Sequence, residues 1–129
     1  DRIIRVQPVD VPFRENPNFD SEHFFDNVIG VSKNIGACPR KIRFWASAEQ
    51  SQYILTKPLH RTQKLISQNE ADHSCIFQIE VVVNFEMYSV FMSYGAGIRV
   101  IYPRQVVNYM RDKVLETAAM YQEDEGKFR

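Results

Sequence analysis

The feature that most constrains the fold is a hydrophobic period of two that starts at residue 41. Ile42, Phe44 and Ala46 alternate there with Arg43 and Trp45. Successive side chains of a strand point to opposite faces, so this spacing separates an apolar set from a polar and aromatic set. The segment 41–46 is therefore predicted to be a strand with one face in the core and the other face open.

The same reasoning extends to the rest of the chain up to residue 102. Further strands are predicted over residues 62–68, 75–83 and 98–102. Helices are predicted over residues 48–56 and 85–94, with N-caps at Ser47 and Asn84, and Pro103 suits the first turn of a final helix. The order β-α-β-β-α-β followed by α predicts an α+β fold: a ferredoxin-like, split antiparallel sheet covered by helices on one face.

The first forty residues follow a different pattern. Residues 2–9 alternate like a half-buried strand, which Pro8 and Pro12 end, and a short helix is predicted from Asp20 or Ser21 to Gly30. We therefore expect three parts: a linker strand and helix over 1–38, the main domain over 39–122, and an acidic tail over 123–129. Because the sequence starts at Asp1, we expect it to be a piece of a longer protein.

Composition excludes several classes of protein. The sixteen Lys and Arg balance the sixteen Asp and Glu, which argues against a free-standing nucleic-acid-binding module, since such modules are normally basic. No apolar run approaches the ~18 residues that a membrane span needs, and the N-terminus lacks a signal-peptide layout. The expected location is the cytoplasm. Cys38 and Cys75 lie far apart, without metal-ligand spacing, which favours inert thiols.

The sequence contains no recognisable catalytic motif. Its imidazoles are His23, His60 and His73, and none of them lies in a pattern that supports nucleophilic catalysis. Gly95 and Gly97 follow a predicted helix, whereas a phosphate-binding loop would precede one. We therefore expect no enzyme activity, no metal and no cofactor.

Binding chemistry is concentrated on the predicted open sheet face. Arg43 and Trp45 share that face with Gln78 and Glu80 from another strand, and Arg99 and Ile101 are expected to join them. A guanidinium beside an indole can hold a phosphate or carboxylate and stack on a base or ring. Arg43, Trp45 and Arg99 are the candidate ligand-binding residues. A protein interface at this face, or packing of Trp45 into the core, would explain the same pattern.

The chain has no net charge, but one stretch of the sequence has an excess of positive charge. Between residues 33 and 64 only Glu49 is acidic, whereas seven residues are basic: Lys33, Arg40, Lys41, Arg43, Lys57, Arg61 and Lys64. They are spread over a loop, a strand and a helix end. They either converge on one surface or are solvated separately.

A series of short motifs runs along nearly the whole chain. They are Asp1-Arg2-Ile3, Phe13, Phe19, Phe25, Ile29-Gly30-Val31, Ile42-Arg43-Phe44, Pro58-Leu59-His60 with Gln63, Ser93-Tyr94-Gly95 and Val100-Ile101-Tyr102-Pro103. In this order they resemble the end of a WYL domain and its passage into the WYL C-terminal extension. One position differs: relatives commonly have Gly where this sequence has His73.

The resemblance implies the C-terminal fragment of a bacterial transcriptional regulator. Such a regulator has a DNA-binding winged helix-turn-helix, an SH3-like WYL barrel and a ferredoxin-like extension. The resemblance also implies that the WYL part senses an effector, often a nucleic acid or nucleotide-like ligand, and that the extension helps to bind it or forms dimer contacts. Arg43 matches the basic position in the extension's first strand. The Trp-Tyr-Leu signature and the DNA-reading domain would precede Asp1.

Two functional hypotheses follow. The first is a non-catalytic effector-sensing and oligomerisation module of a WYL-type regulator. It would form a homodimer, bind a nucleotide or single-stranded nucleic acid, and act on DNA through an N-terminal helix-turn-helix outside this sequence. The second is a purely structural dimerisation or protein-interaction domain, suggested by the exposed aromatic content and by an opening strand without a partner.

Overall fold

The four strands form one antiparallel sheet in the order β2-β3-β1-β4. The computed structural model describes residues 2–34 and 36–123. Its elements are β1 (Arg40–Ala46), α1 (Ala48–Thr56), β2 (Lys64–Gln68), β3 (Cys75–Val81), α2 (Phe85–Ser93), a 3₁₀ turn (Gly95–Gly97), β4 (Ile98–Tyr102) and α3 (Arg104–Glu123). Strand β3 separates β1 from β2, and β1 separates β3 from β4. The predicted α+β class and element order are confirmed.

The core lies on one face of this sheet. Phe44 is fully buried, with its ring centroid 5.6 Å from that of Phe77 and 5.3 Å from that of Phe91. The helices contribute further buried residues to the same cluster, namely Ile54, Met87, Phe91 and Val106. The apolar set of the predicted first strand therefore faces the helices, as its alternation requires.

Local hydrogen bonds explain where the helices begin. The Ser47 hydroxyl accepts the Gln50 N–H at 3.3 Å, and the Asn84 carboxamide oxygen accepts the Met87 N–H at 2.8 Å. Both predicted N-caps are confirmed. The last helix begins at Arg104, one residue later than the predicted Pro103, whose carbonyl accepts the Val107 N–H at 3.1 Å.

The predicted strand 62–68 is shorter in the structure, because its first residues bind other groups. Gln63 donates its amide N–H to the Ile54 carbonyl at 3.1 Å and accepts the Leu59 N–H at 2.9 Å, so it closes the end of α1. The Thr62 hydroxyl oxygen accepts the Glu80 N–H at 2.8 Å. Regular pairing therefore starts only at Lys64.

The predicted N-terminal strand over residues 2–9 is wrong. Within the described residues, this segment pairs with no strand, and Ile4 and Val6 are 97% and 80% exposed. An alternating pattern records a tendency to be half-buried, but a strand also needs a neighbour to satisfy its backbone.

The predicted helix from residue 20 or 21 to Gly30 is also wrong. Residues 21–27 form successive turns, closed by i→i+3 bonds from Asp26 to His23 and from Val28 to Phe25, each 3.2 Å long. A segment this short gains little from helix propagation. Asp26 and the residues after it are instead held by contacts with the main domain.

Those contacts form a linker joint, which we define as residues 26–32 with Asn84, Glu86, His60 and Arg61. The Glu86 Oε1 atom accepts the Val31 N–H at 3.3 Å, the Ser32 N–H at 3.1 Å and the Ser32 hydroxyl at 2.7 Å. The Asn84 amide donates to the Ile29 and Ser32 carbonyls, both at 2.9 Å. Asn84 thus caps α2 and holds the incoming chain at the same time.

The other end of the linker joint is held beside the loop between α1 and β2. The Asp26 carbonyl accepts the His60 Nε2–H at 2.9 Å, and the Asp26 carboxylate lies 3.0 Å from the Arg61 guanidinium. The Val82 N–H donates to the Asn27 carbonyl at 2.7 Å. Residues 26–32 are therefore bonded to the segment before β2 and to the segment after β3.

The predicted acidic tail, 123–129, lies outside the described residues apart from the backbone of Glu123, which ends α3. No helix in the described part of the chain is long and apolar enough to cross a membrane.

Candidate open-face binding site

The sheet surface opposite the core carries the candidate binding residues. Strand register places on one side the alternate residues of β1 together with their partners: Arg43 with Gln78, Trp45 with Ile76 and Arg99, and Lys64 with Gln78. We call this surface the open face and define it as Lys41, Arg43, Trp45, Lys64, Ser67, Ile76, Gln78, Glu80, Arg99 and Tyr102. All of these residues are exposed or half-buried.

Arg43 is held in place by two neighbours on the open face. Its Nε–H donates to the Gln78 side-chain oxygen at 3.0 Å, and its guanidinium carbon lies 5.8 Å from the centre of the Tyr102 ring. Both contacts restrain a long side chain that would otherwise move freely. The Gln78 bond uses only one of the five guanidinium N–H donors, which leaves the others for an anion.

Trp45 lies on the open face rather than in the core. It is half-buried, and its cross-strand neighbours are Ile76 and Arg99. The predicted sharing of one face by Arg43, Trp45 and Arg99 is therefore confirmed as a placement. A half-buried indole on an open sheet face can stack on a planar ring of a ligand.

Strand β4 contains a bulge at Ile101, which is 41% exposed, and the expected contribution of Ile101 to this face stays a prediction. Val100 pairs with Phe44 and Tyr102 pairs with Arg43, so Ile101 is the extra residue between them. The bulge shifts the alternation and brings Tyr102 to the open face. Sequence alternation alone missed Tyr102, since a period of two carries no signal for an inserted residue.

The basic stretch 33–64 does not converge on one surface. Lys41, Arg43 and Lys64 lie on the open face, where Arg99 adds a fourth cation against the single acid Glu80. The remaining basic residues interact elsewhere: Lys33 with the Phe24 carbonyl, Arg40 with Gln105, Lys57 with the Tyr53 ring and Arg61 with Asp26. The open face alone has a local charge of +3.

The described residues contain no group of three or more His, Cys, Asp or Glu placed to hold a metal ion. Cys38 is exposed and Cys75 is buried, and neither forms a disulfide. The functional groups of the open face are thus four cations, one carboxylate, one indole, one phenol, one amide and one hydroxyl. Such groups bind phosphates or carboxylates and stack on planar rings.

Comparison with known proteins places the sheet and helices in a family. No curated protein matches the sequence. The family model of the WCX domain matches residues 38–118, a range that contains the whole sheet, α1, α2 and most of α3. The match spans more than half of the chain, and the linker joint's residues 26–32 precede it. The protein therefore belongs to the WCX domain family, a C-terminal domain associated with WYL regulators.

Proposed function

We propose that this protein is the non-catalytic effector-sensing and oligomerisation module of a bacterial WYL-type transcriptional regulator. Its effector is an anionic, nucleotide-like ligand or a short single-stranded nucleic acid, which binds on the open face. The full regulator acts in the cytoplasm and reads DNA through a separate helix-turn-helix domain. Membership of the WCX family supports the regulatory role.

One observation carries the ligand part of the proposal: Arg43 is held by Gln78 and Tyr102 beside Trp45 and Arg99 on an uncovered sheet. A phosphate needs N–H donors at a fixed position, and the Gln78 bond fixes the Arg43 guanidinium. A base needs a planar partner, which Trp45 or Tyr102 provides. With four cations and one acid around them, these groups favour an anion over a neutral ligand.

The test measures binding of a short single-stranded DNA and of a nucleoside monophosphate to the chain. Trp45 is the single tryptophan, so stacking on its ring will quench the intrinsic fluorescence and report the site directly. Arg43→Ala should weaken binding roughly 10- to 150-fold, as expected for loss of a charge-assisted contact of about 1.5–3 kcal/mol.

A matched control is Arg104→Ala, which removes an exposed arginine of α3 that is not among the open-face residues. This variant should bind like the unmodified chain. If neither ligand binds, or if both variants weaken binding equally, the proposed site on the open face is wrong.

The second candidate, a purely structural dimerisation domain, is favoured by a different observation. The outer half of α3 exposes a series of large apolar side chains, namely Val114, Leu115, Met120 and Tyr121. Exposed apolar patches of this kind mark association surfaces. Light scattering at tens of micromolar would detect a dimer, and a monomer at that concentration would count against both the dimerisation domain and the oligomerisation part of the main proposal.

A further inference from the structure

An apolar cavity of the described chain lies on the helical side of the domain and shares only Arg99 with the open face. It is a groove of about 490 Å³ between α2, α3 and edge strand β4. Phe91 of α2, Ile98 and Val100 of β4, and Val107, Met110 and Val114 of α3 contribute to its lining. Its volume falls in the range of 300–1,000 Å³ typical of small-molecule sites.

The groove's walls are almost wholly hydrocarbon. Aliphatic and aromatic side chains line it, and two methionines, Met92 and Met110, supply flexible surfaces that adapt to a chain of variable shape. Val114 is 51% and Met92 is 37% exposed, so this apolar surface is open to water. Covering it with an apolar ligand would remove that surface from water, which is favourable.

The charged residues that line the groove favour an anionic ligand over a neutral one. The only charged residues among the described lining residues are two arginines, Arg99 and Arg111. Asp112 accepts from the Arg111 Nε and one Nη at 3.1 and 3.0 Å, which leaves the remaining guanidinium donors free for a second acceptor. An arginine with donors to spare at an apolar groove matches a carboxylate at the end of an apolar body.

We propose that this groove binds an aliphatic monocarboxylate, with its hydrocarbon chain between α2 and α3 and its carboxylate at Arg111. The site goes beyond the proposed function, because it shares neither Arg43 nor Trp45 with the open face. Arg99 belongs to both surfaces. The groove is therefore tested at Arg111 and at its apolar wall, so that the two proposals fail separately.

The test is calorimetric titration of the chain with decanoate. We expect saturable binding at one site, and decanol, which keeps the chain but lacks the charge, should bind about tenfold more weakly. Arg111→Gln should weaken decanoate binding several-fold, whereas Arg104→Gln, on the same helix outside the lining, should leave it unchanged. Arg43→Ala should also leave it unchanged.

A steric pair tests the position of the chain. Val114→Phe adds a ring to the groove wall and should weaken decanoate binding about tenfold, because the added volume overpacks the bound chain. Leu115→Phe makes the same kind of change on the next residue, which is 61% exposed and outside the lining, and should have no effect. Both sites are exposed enough that neither variant should unfold the domain.

Three results would overturn the groove as the binding site. The first is the absence of saturable decanoate binding, and the second is equal weakening by Val114→Phe and Leu115→Phe. The third is that light scattering shows a dimer at the titration concentration and that only Val114→Phe dissociates this dimer, because a second copy of the chain would then occupy the groove. Equal affinity for decanol and decanoate would overturn the role of the carboxylate and of Arg111.

Discussion

Replacing Gly30 by alanine should loosen the linker joint. Gly30 has a φ of +79°, and an L-residue in this left-handed region costs about 1–2 kcal/mol. A Cβ at this position would lie 2.6 Å from Glu86 Cγ and 2.8 Å from Glu86 Cβ. Glu86 Cβ is fixed to α2, so rotation of the side chain cannot remove the overlap. The carboxylate that accepts from Val31 and Ser32 must therefore move.

The chain offers a matched control at Gly36. Its φ is +78°, and a Cβ there would meet nothing within 4 Å. Gly36→Ala therefore has only the backbone cost of the left-handed conformation, about 1–2 kcal/mol at most, and no steric overlap like that with Glu86. We expect Gly30→Ala to lower the free energy of unfolding by more than Gly36→Ala does, and the difference measures the close approach to Glu86.

Amide hydrogen exchange locates the effect. In Gly30→Ala, exchange should accelerate at the Val31, Ser32 and Val82 amides, whose acceptors lie across the linker joint. Amides of the central β1–β3 pair should keep their protection, because the core does not depend on this contact. If the two glycine variants change stability and exchange equally, the reasoning about Glu86 is wrong.

Acid should release the linker joint. The hydrogen bond from the Ser32 hydroxyl is the main reason that the pKa of Glu86 lies below its ordinary 4.5, and the bond from His23 is the main reason that the pKa of Asp26 lies below 3.8. The stability that these two carboxylates contribute is present above their ordinary pKa values and is lost as pH falls through the lowered pKa values. Burial lowers the pKa of His60 below 6.5, so the stability that its neutral form contributes is lost as pH falls from 6.5 through the lowered pKa. Intrinsically corrected exchange at Val31 that stays constant from about pH 7 to about pH 3 would contradict this prediction. His73→Gly should raise the free energy of unfolding, measured by urea denaturation, by about 0.5–1 kcal/mol. His73 has a φ of +58°, and glycine relieves that strain at some cost in unfolded-state entropy. His73→Ala should give no gain, and an equal gain in both variants would refute the explanation.

The main domain was predictable because each of its signals is local. The alternation of apolar and polar residues assigns Phe44 and Arg43 to opposite faces of the sheet. Ser47 and Asn84 are capping residues, each followed by a turn with apolar side chains. These features act within a few residues, and the tertiary structure agrees with them. The placement of Arg43, Trp45 and Arg99 on one face followed directly from the alternation.

The errors occurred where distant contacts decide the structure. Asp26 and Asn27 leave the helical pattern because their carbonyls accept from His60 and from Val82, more than thirty residues away. Tyr102 joins the open face because of a bulge opposite Arg43. No local period encodes either event, and the same holds for the linker joint, whose acceptor Glu86 resembles an ordinary first-turn acid in the sequence.

The most direct test of the open-face site is the salt dependence of single-stranded DNA binding. Each phosphate contact contributes a slope of about −0.7 to the dependence of log K on log salt concentration. If Arg43 contacts a phosphate, Arg43→Ala should make the slope less steep by about 0.7, while Arg104→Ala keeps the original slope. Identical slopes for Arg43→Ala and the unmodified chain would contradict the account.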